Sequence, residues 1–270
     1  MIDTHAHLNF SAFDNNREEL INELIKNNYS VINIGTNYYS SQKAIEISIK
    51  YNLMYASVGL HPLNIESTYL IKKYGPSGTK ENKLESEYLI NNYKDIASSN
   101  KVVAIGEIGL DYWYKPKGLN EREEYKKKQE KVFQEQLDLA EELNLPVIIH
   151  SRMAFNDTYK ILSKRKLKGT MHCFVGGIKE MDAFLSLGYY MGFNGIIFKI
   201  NMQEVLKHVP LKSLILETDC PYLSPPGFIS EINNPFSMDI IIREIAKIKG
   251  QDIDKLKDIT IQNAKQLFSI

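Results

Sequence analysis

The chain carries no excess charge of either sign. Lysine plus arginine and aspartate plus glutamate each total 33, so the formal net charge is zero. A neutral chain has no long-range field drawing it toward nucleic acid or an anionic membrane. A polyanionic substrate must then be held locally, by metal ions and a few placed cations. Cysteine is scarce: Cys173 and Cys220 are the two, too few for a disulfide framework and suited to a reducing compartment. No apolar run approaches the roughly 18–20 residues of a membrane span. Met1 opens directly into a strand-like run, without the charged and apolar regions of a signal peptide. The expectation is a soluble, cytoplasmic protein with no membrane attachment and no obligate protein partner, monomeric by default. Domain linkers, internal repeats and low-complexity tracts are also missing, so residues 1–270 read as one domain.

What is present is an alternation. Short β-branched runs occur at Ile2–His7, Val31–Gly35, Met54–Leu60, Val102–Ile108, Val147–His150, Gly169–Phe174, Tyr189–Gly192 and Leu214–Glu217. Helical patterns lie between and after them, near 17–27, 40–51, 84–98, 121–144, 154–165, 178–187, 201–208 and 237–249. In the longest, Phe133, Leu137, Ala140 and Leu143 recur at helical spacing, with Asn120 as cap and Glu123 three residues on. A last helix starts at the cap Asp252, with Ile253, Leu256, Thr260, Ala264 and Leu267 on one stripe. Eight strand–helix units predict an α/β fold, a TIM (β/α)8 barrel with an additional C-terminal helix covering its outside. An open doubly wound sheet is the rival, but it would gather ligand residues at one switch point and not after most strands.

The chemistry sits at the strand ends. In Asp3-Thr-His-Ala-His7, strand alternation sends His5 and His7 the same way, with Asp3 behind them on that face. Two imidazoles side by side make half of a divalent-metal site. His61, Glu107, His150, His172 and Asp219 follow at later run ends, which is where barrel enzymes place their active sites. Five of the six histidines thus fall on one predicted face, and His208, on a helical stretch, reads as a surface residue. Each position has a plainer alternative. His61 suits a turn before Pro62, His150 a hydrogen-bonded core histidine, Cys173 simple packing, and Asp219 a cap before Pro221. Glu107 is harder to explain otherwise, because an unpaired buried carboxylate is costly; Gly106 and Gly109 beside it permit close backbone approach. Together these residues offer enough donors for two adjacent cations with open positions, able to clamp a phosphoryl group and acidify a shared water.

The resemblance that follows is specific. Asp3-Thr-His-Ala-His-Leu8, Gly59-Leu-His-Pro62, Ala104-Ile-Gly-Glu-Ile-Gly-Leu-Asp-Tyr112 and Pro146-Val-Ile-Ile-His-Ser-Arg152 resemble the TatD family of metal-dependent deoxyribonucleases, in the amidohydrolase superfamily. His172-Cys-Phe174, Glu217-Thr-Asp-Cys-Pro-Tyr-Leu223, and Asn263-Ala264 followed by Leu267-Phe268 continue it in family order over nearly the whole chain. The resemblance implies a TIM barrel with one ion on His5, His7 and Asp219, and Glu107 bridging to a second on His150 and His172. It implies that Asp219 orients and deprotonates the attacking water and that His61 contacts the substrate phosphate. It also implies a 3′–5′ exonuclease acting on single-stranded or damaged DNA ends, with two divalent ions such as Mg²⁺, Mn²⁺ or Zn²⁺.

The chain departs from the family after Leu223. A basic segment is usual there, and Ser224-Pro-Pro-Gly-Phe-Ile-Ser-Glu-Ile-Asn-Asn-Pro235 keeps Asn233 and Pro235 but not the cations. Met153 stands where an acidic residue is common, and a long loop over 64–83 brings Lys72, Lys73 and Lys80, which are placed to replace those cations or simply to be solvated. Arg152, Tyr112, Trp113 and Tyr222 lie just past strand ends, suited to phosphate contact or base stacking, or to packing around the mouth. The alternative function is a metal-dependent ester or amide hydrolase of the superfamily, such as an aminoacyl-tRNA deacylase. Glu107, standing where cyclic-amide relatives carry lysine, disfavours that branch without excluding esters.

Overall fold

A computed structural model describes residues 1–65, 90–113, 116–230 and 232–270. Eight strands, β1 (Ile2–Ala6), β2 (Ser30–Ile34), β3 (Met54–Val58), β4 (Val102–Asp111), β5 (Val147–Arg152), β6 (Gly169–Met171), β7 (Tyr190–Phe193) and β8 (Leu214–Leu216), pair in sequence order. Every pair is parallel. Closure comes from β8 returning to β1: Ala6 bridges Cys220, the Thr4 hydroxyl donates to the Leu216 carbonyl at 2.9 Å, and the Asp219 amide donates to the His5 carbonyl at 2.8 Å. The result is an α/β barrel of eight parallel strands.

The helices are α1 (Arg17–Lys26), α2 (Tyr38–Lys50), α3 (Ile90–Ala97), α4 (Leu119–Leu143), α5 (Phe155–Leu162), α6 (Ile178–Ser186), α7 (Gln203–His208), α8 (Met238–Lys249) and α9 (Ile253–Phe268). The pattern expected over 84–98 is described only from Ile90, and Lys72, Lys73 and Lys80 lie outside the described residues. The start of α4 differs from the Asn120 and Glu123 expectation. Gly118 precedes the helix, and its amide donates to the Glu121 carboxylate at 3.4 Å. The reaching-back half of a capping box needs no side chain on the cap residue, so the glycine serves. Asp252 caps α9 as expected, accepting from the Lys255 amide at 2.9 Å. The run Gly169–Phe174 yields a strand only to Met171, because Cys173 (φ 45°) turns the chain into the left-handed region. No described helix is long and apolar enough to cross a membrane.

The two ends of the barrel are built differently. Ile148 precedes His150 by two residues and Ile215 precedes Glu217 by two, so strand alternation puts these isoleucines inside, below the strand-end polar groups. They cluster with Ile32, Ile34, Leu267 and Phe268, all buried. Near that end Asn263 donates to the Leu211 and Leu214 carbonyls at 2.7 and 2.8 Å. The last turn of α9 therefore closes the N-terminal end of the barrel, beyond the outer covering expected of it. The opposite end is left for polar side chains.

Candidate metal centre

The strand-end residues converge. His5 and His7 leave β1 on one face, and Asp219 reaches them from the turn after β8: its Oδ1 lies 3.4 Å from His7 Nε2 and 3.8 Å from His5 Nε2. Asp219 adopts φ 56°, a left-handed conformation that aspartate tolerates better than most residues. Asp3, behind the histidines, anchors the turn. Its carboxylate accepts the Thr218 hydroxyl at 2.6 Å and the Thr218 amide at 3.0 Å, and burial pushes its pKa up to about 7 against those bonds. Asn233 donates to the Thr218 and Tyr222 carbonyls from the other side.

Glu107 is the centre of the cluster. Its carboxylate, almost fully buried, lies 2.9 Å from His150 Nδ1, 3.5 Å from His61 Nε2, 3.7 Å from His172 Nε2 and 3.5 Å from His5 Nε2. Gly109 makes the approach of β5 possible: at φ 139° a Cβ there would sit 2.0 Å from the His150 carbonyl oxygen. Burial alone would raise the acid's pKa. The fields of His61, His5 and His172 and the His150 hydrogen bond outweigh it and hold the acid well below its ordinary range. Asp219 is lowered in the same way, against its burial, by His7, His172 and His5. The imidazoles respond unequally. Burial opposes protonation of His150 and His172, but their carboxylate neighbours push them up to about 9 and about 10. For His5 and His61 burial prevails and the values fall.

Several supports were not legible in sequence. The buried Glu217 lies 2.9 Å from His172 Nδ1, off the ring N–H direction, and accepts the Cys173 amide at 2.7 Å and the Asn194 side chain at 2.9 Å. The buried Asp111 lies 3.0 Å from His150 Nε2. Two buried glutamines on one face of α4 clamp the ends of β3 and β4. Gln136 holds both backbone groups of Leu60, next to His61, and Gln129 holds both of Asp111. A carboxylate or amide ending an apolar run advertises that a partner is needed, but not which one.

The donors suit divalent cations. His5 is fully buried with neither ring nitrogen hydrogen-bonded, and it stacks face to face on His172 with centroids 3.4 Å apart. That arrangement wants a cation between the rings and the carboxylates. The ligand atoms fall into overlapping groups within 4.8 Å: His5, His7 and Asp219; His5, Glu107 and His172; His61, Glu107 and His150; His172, Cys173 and Asp219. The first is the group expected from the sequence. His150 and His172, expected to share an ion, lie in different groups that both contain Glu107. Cys173 donates toward Asn194 at 3.7 Å, its thiol pushed far up by burial.

A cavity of about 510 Å³ opens over the cluster, lined by His7, His61, Glu107, His150, His172 and Asp219 and walled by Phe10, Leu63, Val175, Ile196, Ile200 and Leu223. Arg152 and Tyr222 also line it, and Arg152 is its one lysine or arginine among the described residues. Trp113 lies outside the lining but under the Arg152 guanidinium, 4.9 Å from ring centroid to Cζ. Tyr112 points elsewhere: its hydroxyl donates to Glu130 at 3.2 Å and Lys126 covers its ring, so it packs β4 against α4. His208 is on the surface, paired with Asp182.

Comparison with known proteins agrees with this picture. Residues 2–269 match the family model described as TatD related DNase. The chain is 33% identical to an uncharacterized metal-dependent hydrolase, YabD, of Bacillus subtilis, covering 100% of this chain and 99% of that one. It is 31% identical, with the same coverage, to the 3′-5′ ssDNA/RNA exonuclease TatD of Escherichia fergusonii. Among solved structures, the TatD homologue YjjV of Escherichia coli superposes with a TM-score of 0.81 at 25% identity, over 100% of this chain and 98% of that one. The chain belongs to the TatD-related DNase family of metal-dependent hydrolases.

Proposed function

We propose that this TatD-family hydrolase cleaves phosphodiester bonds with two divalent ions, removing nucleotides from the 3′ end of single-stranded or damaged DNA. The observation that carries the reading is Glu107, a single carboxylate within 2.9–3.7 Å of four imidazoles at the floor of an open cavity. His5, His7 and Asp219 would hold one ion and His150 and His172 the other, with Glu107 between. Mg²⁺, Mn²⁺ and Zn²⁺ all accept such a mixed shell. When bound, the ions would supply charge neutralisation at the phosphoryl group and a lowered pKa for water.

The remaining work belongs to side chains. Asp219, which lines the cavity and is held below its ordinary range, would orient water and take its proton. His61, also in the lining, would meet a phosphate oxygen. Arg152 adds a fixed positive charge at the mouth, and Tyr222 and the apolar wall give the sugar and base a surface to lie on. A cavity of this size suits the end of a strand. Digestion of oligonucleotides labelled at either end, single- and double-stranded, with each metal in turn, tests the reading. Progressive shortening from the 3′ end is expected, and intact substrate with every metal would reject it.

One observation favours a second reading. With Arg152 the one lysine or arginine lining the cavity among the described residues, a less charged ester, such as an aminoacyl-tRNA ester bond, also fits. A parallel assay on aminoacyl-tRNA separates the two.

A further inference from the structure

We infer that His61 and His150, both beside Oε1 of Glu107, have opposite jobs, set by their outer partners. Asp111 is a positioning residue that makes His150 an ion ligand, and the Leu63 amide makes His61 an N–H donor that stays off the ions. This rests on the cluster holding divalent ions, as proposed above, and not on the identity of the substrate.

A neutral imidazole offers one N–H and one lone pair, and the partner of one nitrogen decides what the other presents. His150 Nε2 lies 3.0 Å from Oδ2 of Asp111, a carboxylate that only accepts. Nδ1 faces a second carboxylate, Oε1 of Glu107, at 2.9 Å, so without ions both nitrogens donate. When an ion takes the place of the Nδ1 proton, Asp111 holds the remaining proton on Nε2 and the Nδ1 lone pair is left for the ion. His61 is the reverse. The Leu63 backbone N–H donates to its Nδ1 at 3.1 Å, which fixes the lone pair there and leaves the proton on Nε2, 3.5 Å from the same Glu107 oxygen. A cation needs a lone pair and is repelled by an N–H. The triad of His61, Glu107 and His150 is therefore compact enough for an ion but supplies two ligands, with His61 as the exception.

Both outer partners are rigid. Asp111 is fully buried, its backbone is clamped by Gln129, and its Oδ1 accepts the Trp113 amide at 2.9 Å. The Leu63 amide belongs to the short turn Pro62–Asn64, tied to Thr36 by the Asn64 side chain at 2.7 Å. His7 follows the His150 pattern, with its Nδ1 3.2 Å from the Ile34 carbonyl and its Nε2 directed at Asp219. With ions bound, His61 alone of these three keeps an inward proton. Over the cavity, that N–H faces the place where a substrate oxygen gathers negative charge.

The test uses the full chain loaded with Zn²⁺. Nitrogen–proton correlation spectra of ¹⁵N-histidine protein should show Nε2–H on both His61 and His150, with zinc shifting Nδ1 of His150 and leaving both His61 nitrogens as in a free neutral ring. Chelator competition should show Asp111→Asn weakening the binding of one zinc by about 10- to 100-fold, because an amide can also donate and so releases the tautomer. His61→Gln should keep wild-type zinc affinity. A zinc-shifted His61 nitrogen, a zinc lost in His61→Gln, or unchanged affinity in Asp111→Asn would each overturn the assignment. Should Asp111→Asn fail to fold, the wild-type spectra and His61→Gln still decide. A wild-type chain that takes up no zinc or other divalent ion would instead bring down the metal-centre reading, and this inference with it.

Discussion

The two ends of this barrel make opposite use of the same strands. Toward the N-terminal end the barrel interior holds Ile32, Ile148 and Ile215, in one buried cluster with Leu267 and Phe268 of the last helix. Two residues beyond Ile148 and Ile215 stand His150 on β5 and Glu217 just past β8, and the cluster around Glu107 opens to a cavity. One end gains stability by excluding water. The other concentrates buried carboxylates and imidazoles that are satisfied only by each other or by ions, and burying such groups costs stability that the apolar end offsets. The division implies that changes at the two ends should affect different measurements.

The largest separation is expected at Glu107. Glu107→Ala should lower turnover by about a thousandfold or more, while circular dichroism shows a folded barrel. Full turnover after metal removal and defined reloading would refute its role. The complementary change is Phe268→Ala. Removing a buried aromatic ring costs about 3–5 kcal/mol, so the denaturation midpoint should fall while ion content and turnover per folded molecule stay at wild-type values. A loss of ions in Phe268→Ala would break the division between the ends.

A pH experiment sharpens it. In the metal-free chain, His150 and His172 are raised to about 9 and about 10 by Asp111, Glu107 and Glu217 against their own burial. Groups with raised folded values give stability that is complete below their unfolded pKa, near 6.5, and lost as pH rises through 9 and 10. Glu107, held low, contributes above its ordinary value and loses its contribution in acid. The metal-free chain should therefore melt at progressively lower temperature from pH 7 to pH 10. The loaded chain should not, since ion binding displaces those protons and tightens as pH rises. Parallel curves for the two forms would contradict the assignment. The smallest effect is expected at the rim: Arg152→Ala should reduce the slope of log affinity against log salt for single-stranded DNA by about 0.7, with the ions retained.

The sequence carried much of this, unevenly. Strand-end histidines were legible because a polar residue closing an apolar run is conspicuous, and His5, His7, His61, His150 and His172 do meet at one rim. Their sorting was not legible. Whether His61 presents a lone pair or a proton depends on a backbone amide two residues on, and whether His150 does depends on Asp111, 39 positions away and brought in by the β4–β5 pairing. Glu217 stood inside a recognised motif, yet its nearness to His172 follows from where β6 stops, and that is set by the left-handed turn at Cys173. The direction of Tyr112 was not legible either, because period and position place a residue past a strand end without saying which way it turns. The capping of α4 shifted because glycine followed by an acid three residues on is a weaker signal than asparagine.

The central claim, that strand ends from all round the barrel converge on a pair of ions about Glu107, is tested most directly by anomalous scattering from a crystal of the Mn²⁺- or Zn²⁺-loaded protein. Two peaks are predicted on either side of the Glu107 carboxylate, one beside His5, His7 and Asp219 and the other beside His150 and His172. Peaks remote from Glu107, or none in fully loaded crystals, would contradict it.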